Sequence, residues 1–149
     1  MTPQKPSSPK LVRDLMQIGV ITCRADLPLG EAVEILLRDN LESLIVLDEV
    51  GHAVGWLGRS QAVAVYGRAA AQSCDRLTVA EVMRPDIPEI PPDIPAAAAA
   101  QIMLDLGVRS LFLMHHDGGV SWPAAVFRFE DILRQLVAEA RAEVQLMNS

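Results

Sequence analysis

Apolar positions along the chain change period in a fixed order. Ala32, Val33, Ile35, Leu36 and Leu37, with Glu31, Glu34 and Arg38 among them, trace one buried face of a helix that ends near Asn40. Leu44-Ile45-Val46-Leu47 follows as a short, unbroken apolar run between polar residues, the pattern of a buried strand. The segment Asp48 to Gly51 predicts a turn, and Gly55-Trp56-Leu57 a returning strand. A second helix is predicted from Ser60-Gln61 to Ala71. Ahead of these elements, Val20-Ile21-Thr22 reads as an extended segment leading into an Asp-x-Pro turn. There Asp26 is placed to cap free N–H groups and Pro28 suits the first helical turn.

The same order then recurs. Val12, Met16, Asp26, Pro28, Ala32, Ile35, Leu37, Ser43 and Leu44 return as Val79, Met83, Asp93, Pro95, Ala99, Ile102, Leu104, Ser110 and Leu111, at a constant offset of 67 residues. Asp14 with Glu81, Leu15 with Val82 and Leu36 with Met103 fill the gaps conservatively. In the second copy Ile87-Pro88-Glu89 is the extended segment and Gly107 the helix C-cap. Leu111 to Met114 forms the strand, His115 to Gly119 the turn and Ala125-Val126-Phe127 the return. A last helix starts near Glu130-Asp131 and runs amphipathically through Leu133, Leu136, Val137, Ala140 and Val144. Each copy is β-α-β-β-α. The expected organisation is a flexible tail over 1–10, repeats over 11–72 and 73–138, and a helix end over 139–149.

Composition narrows the class of function. At 149 residues, 50% hydrophobic and 21% charged, the chain holds enough material for one packed core and is no disordered or low-complexity sequence. Its mean hydropathy of +0.23 is high enough to suggest that some apolar surface meets a partner. Thirteen Lys and Arg against nineteen Asp and Glu give a net charge of -6, the wrong sign for phosphate backbones or anionic lipid. Nucleic acid is therefore disfavoured as the main ligand. Cys23 and Cys74 stand far apart without a Cys-x-x-Cys or a nearby His pair, so both read as small buried hydrophobes rather than a disulfide or a zinc site. The Pro-, Ser- and Lys-rich Met1 to Lys10 lacks an apolar signal region. No apolar run is long enough to span a membrane, and the expected setting is the cytoplasm.

This tandem order, with the Val-x-Asp/Glu-Leu/Val-Met opening and the ending Gly107-Val108-Arg109-Ser110-Leu111-Phe112-Leu113 then Ala125-Val126-Phe127-Arg128-Phe129-Glu130-Asp131-Ile132-Leu133, resembles the CBS domain pair. That is the cystathionine β-synthase type tandem, or Bateman, module. The resemblance covers about Leu11 to Leu136. It implies an α+β fold of two repeats packed by their sheets, and a regulatory role without catalysis. It also implies binding of AMP, ADP, ATP or S-adenosylmethionine in clefts between the repeats, with occupancy signalled to a partner protein. A flat homodimer of two modules is expected by the same resemblance.

Position by position, Asp131 matches the family's ribose-binding Asp, Arg128 stands at its Thr/Ser position, and Arg109 at its basic phosphate-facing position. A carboxylate accepts two adjacent O–H donors, and a guanidinium grips phosphate near a helix N-terminus. Ile87 and Glu89 are expected to line the same cleft. In the first copy Gln61, Gly58 and Glu42 take these places, with Val20 and Thr22 beside them, and that cleft reads as degenerate. His115-His116-Asp117 reads as a polar turn rather than a metal site, since adjacent residues point apart and no third ligand is spaced to join them. The competing function is a ligand-free dimerising scaffold.

Overall fold

The computed structural model describes residues 9–68 and 76–148, and within them the chain forms two three-stranded sheets flanked by helices, an α+β fold. The first half contributes α1 (Val12–Leu15), β1 (Gln17–Ile18), β2 (Thr22–Arg24), α2 (Leu29–Arg38), β3 (Ser43–Leu47), β4 (Ala53–Gly58) and α3 (Arg59–Arg68). The second contributes α4 (Val79–Val82), α5 (Ala96–Leu106), β5 (Ser110–Asp117), β6 (Val120–Arg128) and α6 (Phe129–Met147). The expected helical residues 69–71, and Cys74, lie outside the described residues.

Each half lends its opening segment to the other. β1 pairs antiparallel with β6, completing the sheet β1-β6-β5, while β2, β3 and β4 form the other sheet in that order. In return, Arg84 exchanges both backbone hydrogen bonds with Trp56 at 2.9 Å, beside β4. The bridges obey the repeat: Leu11 with Pro95 mirrors Thr78 with Pro28, each partner displaced by 67. Gly55 makes one crossing fit, because a Cβ there would lie 2.6 Å from the Arg84 carbonyl. Asp14 and Glu81 accept the backbone N–H of Leu11 and Thr78 at 2.8 Å, capping the two short lead-in helices.

The exchange reaches the cores. Val79, at the start of α4, packs with Leu29, Ala32, Leu36, Leu44, Val46 and Leu57 of the first half, and Val12 packs with Ala99, Met103, Leu111 and Phe127 of the second. Ile45, Trp56 and Phe112 then join the two sheets. Val79→Ala is expected to cost about 2 kcal/mol from lost burial. In native-state hydrogen exchange the lost protection should appear at α2 and β3, in the half to which Val79 does not belong by sequence. Burial pushes the Cys23 thiol, also in the first core, up to about 11.

Several local expectations are corrected. Asp26 and Asp93 do not cap the helices that follow: Pro28 and Pro95 occupy the N-cap positions, just outside the first turn, and Asp26 pairs with Arg24 at 3.0 Å. The first helical N–H groups instead donate across the exchange, Leu29 to the Leu77 carbonyl and Ala96 to the Lys10 carbonyl, both at 2.8 Å. The first-copy strand is Thr22–Arg24, shifted from Val20–Thr22, and Ile87 to Glu89 is no strand but holds one parallel bridge, Glu89 to Phe112. His115 and His116 lie in β5, since the reversal is the tight Gly118-Gly119 pair at φ +58° and +83°. Leu37 is exposed rather than buried, because Leu29, Ala32 and Leu36 already face the core. Gly107, at φ +69°, caps α5 as expected.

Candidate functional site

Each returning strand runs directly into a helix, so β4–α3 and β6–α6 set up two related junctions. The second hairpin is longer, and there the repeat offset becomes 70, matching Gly58 with Arg128 and Gln61 with Asp131. At both junctions the residue three positions on caps the helix. The Gln61 Oε1 accepts the Gly58 N–H, and the Asp131 Oδ2 accepts the Arg128 N–H at 2.9 Å.

Asp131 is engaged further. Its Oδ1 accepts hydrogen bonds from Gln17 Nε2 and Arg134 Nη1, each at 3.1 Å, and its side chain is 1% exposed. Arg128 carries its side chain where Gly58 has none, 19% exposed and paired with Glu130 at 3.5 Å. What remains of the second cleft is a groove lined by Asn40, Glu42, Arg109, Arg128, Phe129, Glu130 and Leu133, in which Asp131 takes no part.

The first cleft is built differently. It encloses about 110 Å³ among Glu42, Ser43, Trp56, Gly58, Arg59, Ser60, Gln61, Arg84 and Arg109. Three guanidinium groups and one carboxylate make it locally basic in a chain of net charge -6. Arg59 is committed to the fold, its Nε donating to the Leu41 carbonyl at 2.6 Å and one Nη to the Leu36 carbonyl at 3.2 Å. Arg84 lies over the Trp56 ring, 5.9 Å from its centroid, and pairs with Asp86 at 3.7 Å. Arg109 pairs with its repeat mate Glu42 at 3.8 Å and so borders both clefts. Two buried polar atoms in the wall, Ser43 Oγ and Gln61 Nε2, have no hydrogen-bond partner.

Of the residues expected from sequence, Arg128 and Asp131 meet at the head of α6, with Arg128 Nε 3.6 Å from the carboxylate. Arg109 reaches the groove beside Arg128, and Gln61 and Gly58 share the first cleft. The others lie elsewhere. Ile87 and Val20 pack on the Ile45–Trp56–Phe112 cluster, and the backbone of Thr22 is paired with Ile45 in the sheet. Glu89 reaches His116 Nε2 at 2.5 Å, while His116 Nδ1 contacts Ser121 Oγ at 2.6 Å, towards the tip of the β5–β6 hairpin. Arg84, Trp56 and Ser43 were not singled out as site residues. The Ser43–Ser110 match pointed to one of them; Arg84 required knowledge of the exchanged segments. Among the described residues no group of three or more His, Cys, Asp or Glu could hold a metal ion. No helix among them is long and apolar enough to cross a membrane.

The CBS domain profile matches residues 12–67 and 79–138, one match to each repeat. The chain belongs to the CBS domain family. Solved CBS pairs share its fold at low identity. The CBS domain protein ATU1752 from Agrobacterium tumefaciens is 18% identical, with a TM-score of 0.75 over 89% of this chain and 98% of that one. The CBS domain pair of protein MJ0100, solved with 5′-methylthioadenosine and S-adenosylmethionine, is 22% identical, with a TM-score of 0.70 over 85% of this chain and 99% of that one. CBSX2, solved with AMP, is 17% identical, with a TM-score of 0.69 over 87% and 98%. A search of curated protein sequences finds no match. CBS pairs are regulatory modules, generally without catalysis.

Proposed function

We propose that this CBS pair is a regulatory module that binds an adenosine-containing ligand, of the AMP, ADP, ATP or S-adenosylmethionine class, in its first-repeat cleft and signals occupancy to a partner protein. The observation that carries the reading is the pair of unpartnered atoms, Ser43 Oγ and Gln61 Nε2, in a wall shared with Arg84 and Arg109. A buried polar atom without a partner costs about 1–3 kcal/mol, a cost that a ligand supplying the missing hydrogen bond removes. A hydroxyl that donates and accepts, beside an amide that donates, suits ribose oxygens. Two guanidinium groups at the rim, next to the N-terminus of α3, suit phosphate or carboxylate. The enclosed volume takes the polar end of such a ligand and leaves the base at the rim near Trp56. MJ0100 and CBSX2, solved with adenosine ligands, support the ligand class. A cytoplasmic setting is part of the same reading, supported by the buried free thiol of Cys23.

Titration calorimetry with AMP, ADP, ATP and S-adenosylmethionine tests this. One class should bind, and Arg84→Ala and Arg109→Ala should each weaken it about 10- to 100-fold, the effect of removing a charge-assisted hydrogen bond. Both side chains are largely exposed, so folding is spared. Binding that survives both substitutions unchanged would place the ligand elsewhere. The second reading, a ligand-free scaffold, draws on the saturated Asp131 and the Arg128 side chain in the second cleft. A flat panel on folded protein would select it.

A further inference from the structure

The first-repeat cleft is bounded on one side by a pair of unlike charges. Glu42 and Arg109 are repeat mates, 67 residues apart, and they are the two described residues that line both this cleft and the groove at the head of α6. Two arginines at these equivalent positions would make a seat for a polyanion, whereas one Glu and one Arg make a dipole. Arg109 Nη1 and Glu42 Oε1 stand 3.8 Å apart, beyond hydrogen-bond distance, so both keep capacity to bond a ligand. Among the described residues that line the cleft, Glu42 is the one carboxylate, and its side chain is only 35% exposed. The other two cations of the wall are already engaged, Arg59 with the Leu41 and Leu36 carbonyls and Arg84 with Asp86.

We infer that Glu42 is a specificity-determining residue of this cleft, which selects, among adenosine ligands, a zwitterionic amino-acid head over a polyphosphate. The inference rests on the cleft being the ligand site. An α-carboxylate takes Arg109 and the α-ammonium beside it takes Glu42, so the ligand replaces one loose ion pair with two charge-assisted contacts and leaves no charge alone. The rest of the wall agrees. Ser43 Oγ, buried and unpartnered, can accept from an ammonium, and Gln61 Nε2 can donate to a carboxylate or ribose oxygen. A phosphate also gains Arg109, but it draws that guanidinium from Glu42 and sets two anions side by side. In a cleft of about 110 Å³ each further phosphate adds to the repulsion. Glu42 thus acts in two ways, holding the right head and turning away the wrong one.

Titration calorimetry on the full chain, wild type and Glu42→Gln, reads this selection as a change in the order of affinities. S-adenosylhomocysteine is the probe that carries the head, 5′-methylthioadenosine is a thioether nucleoside without it, and ATP is the polyanion. Wild type should bind S-adenosylhomocysteine about tenfold or more tightly than either of the others. Glu42→Gln should weaken S-adenosylhomocysteine about tenfold, leave 5′-methylthioadenosine unchanged and strengthen ATP about tenfold. A merely structural role for Glu42 would not move two ligands in opposite directions, and a matching thermal melt without ligand would show that the variant folds. ATP bound as tightly as S-adenosylhomocysteine in wild type would overturn the inference. So would a Glu42→Gln variant in which all three affinities shift together or none shifts. Either result would leave the cleft as the adenosine site. Folded wild type that binds none of the three would remove the site itself, and the inference with it.

Discussion

Asp131→Ala should lower the unfolding free energy by about 3 kcal/mol, in two parts: roughly 1 for the helix cap and roughly 1.5–3 for a part-buried hydrogen bond to a charged acceptor. The cap is the Arg128 N–H, which donates to Oδ2 at 2.9 Å; the second is Gln17 Nε2, which donates to Oδ1 at 3.1 Å and ties β1 to α6. The Arg134 contact adds little, because that guanidinium is largely in water. For a chain of 149 residues the loss corresponds to a fall in Tm of about 10 °C, measured by calorimetry or circular dichroism. Asp131→Asn keeps an acceptor oxygen and should lose about half as much. A loss smaller than about 1 kcal/mol in Asp131→Ala would mean that the carboxylate is not holding the junction. The size of the effect bears on function too. A missing ligand response in Asp131→Ala would report a loosened α6 as readily as a lost contact, whereas Arg84→Ala touches the first cleft without a buried bond to break.

The helices and strands were legible because their periods were carried by many residues at once, and the constant offset doubled each signal. The partner of each opening segment was not. Val12 and Val79 present the same small apolar surface whichever core receives them, and nothing local in Val-x-Asp or Val-x-Glu says that the receiving helix belongs to the other half. Once the exchange is known, the helix starts follow. Leu29 and Ala96 need no Asp cap because a carbonyl from the exchanged segment accepts their N–H. The site was legible in part for the same reason. Asp131 was visible as an acidic residue at a helix start, a place that serves a ligand, a cap or both, and the cap became visible only with the positions of Gln17 and Arg128. The cleft with two of the three unpartnered buried side-chain atoms found among the described residues is the one whose sequence looked poorer; the third, Arg128 Nε, belongs to the second. Gly58 in place of Arg128 takes charge out of the motif, and the Trp56 ring packs where its side chain would start, 3.0 Å from a Cβ built there.

Phe112→Ala should be the most costly single truncation on the sheet-to-sheet seam, at about 3–5 kcal/mol. Phe112 is 1% exposed and packs with Ile45 of β3 and Trp56 of β4, the residues through which the two sheets meet. Its backbone is pinned on both sides, paired with Val126 of β6 while its N–H donates to the Pro88 carbonyl at 2.8 Å and its carbonyl accepts the Ile90 N–H at 2.9 Å. A strand held in that way cannot sink into the space left by the ring, so the cavity persists and the cost lies at the upper end for its chemistry. Ile45→Ala opens the same space from the facing sheet, and the double variant should lose less than the sum of the two, because one shared cavity is counted once. Urea unfolding of the two single variants and the double variant measures this. Strict additivity would mean that Ile45 and Phe112 pack in separate pockets. The same cavity reaches the first cleft, because Trp56 touches both Phe112's cluster and the cleft wall. Phe112→Ala should therefore weaken any ligand held beside Trp56 while leaving Arg84 and Arg109 in place, linking the packing of the two sheets to the site between them.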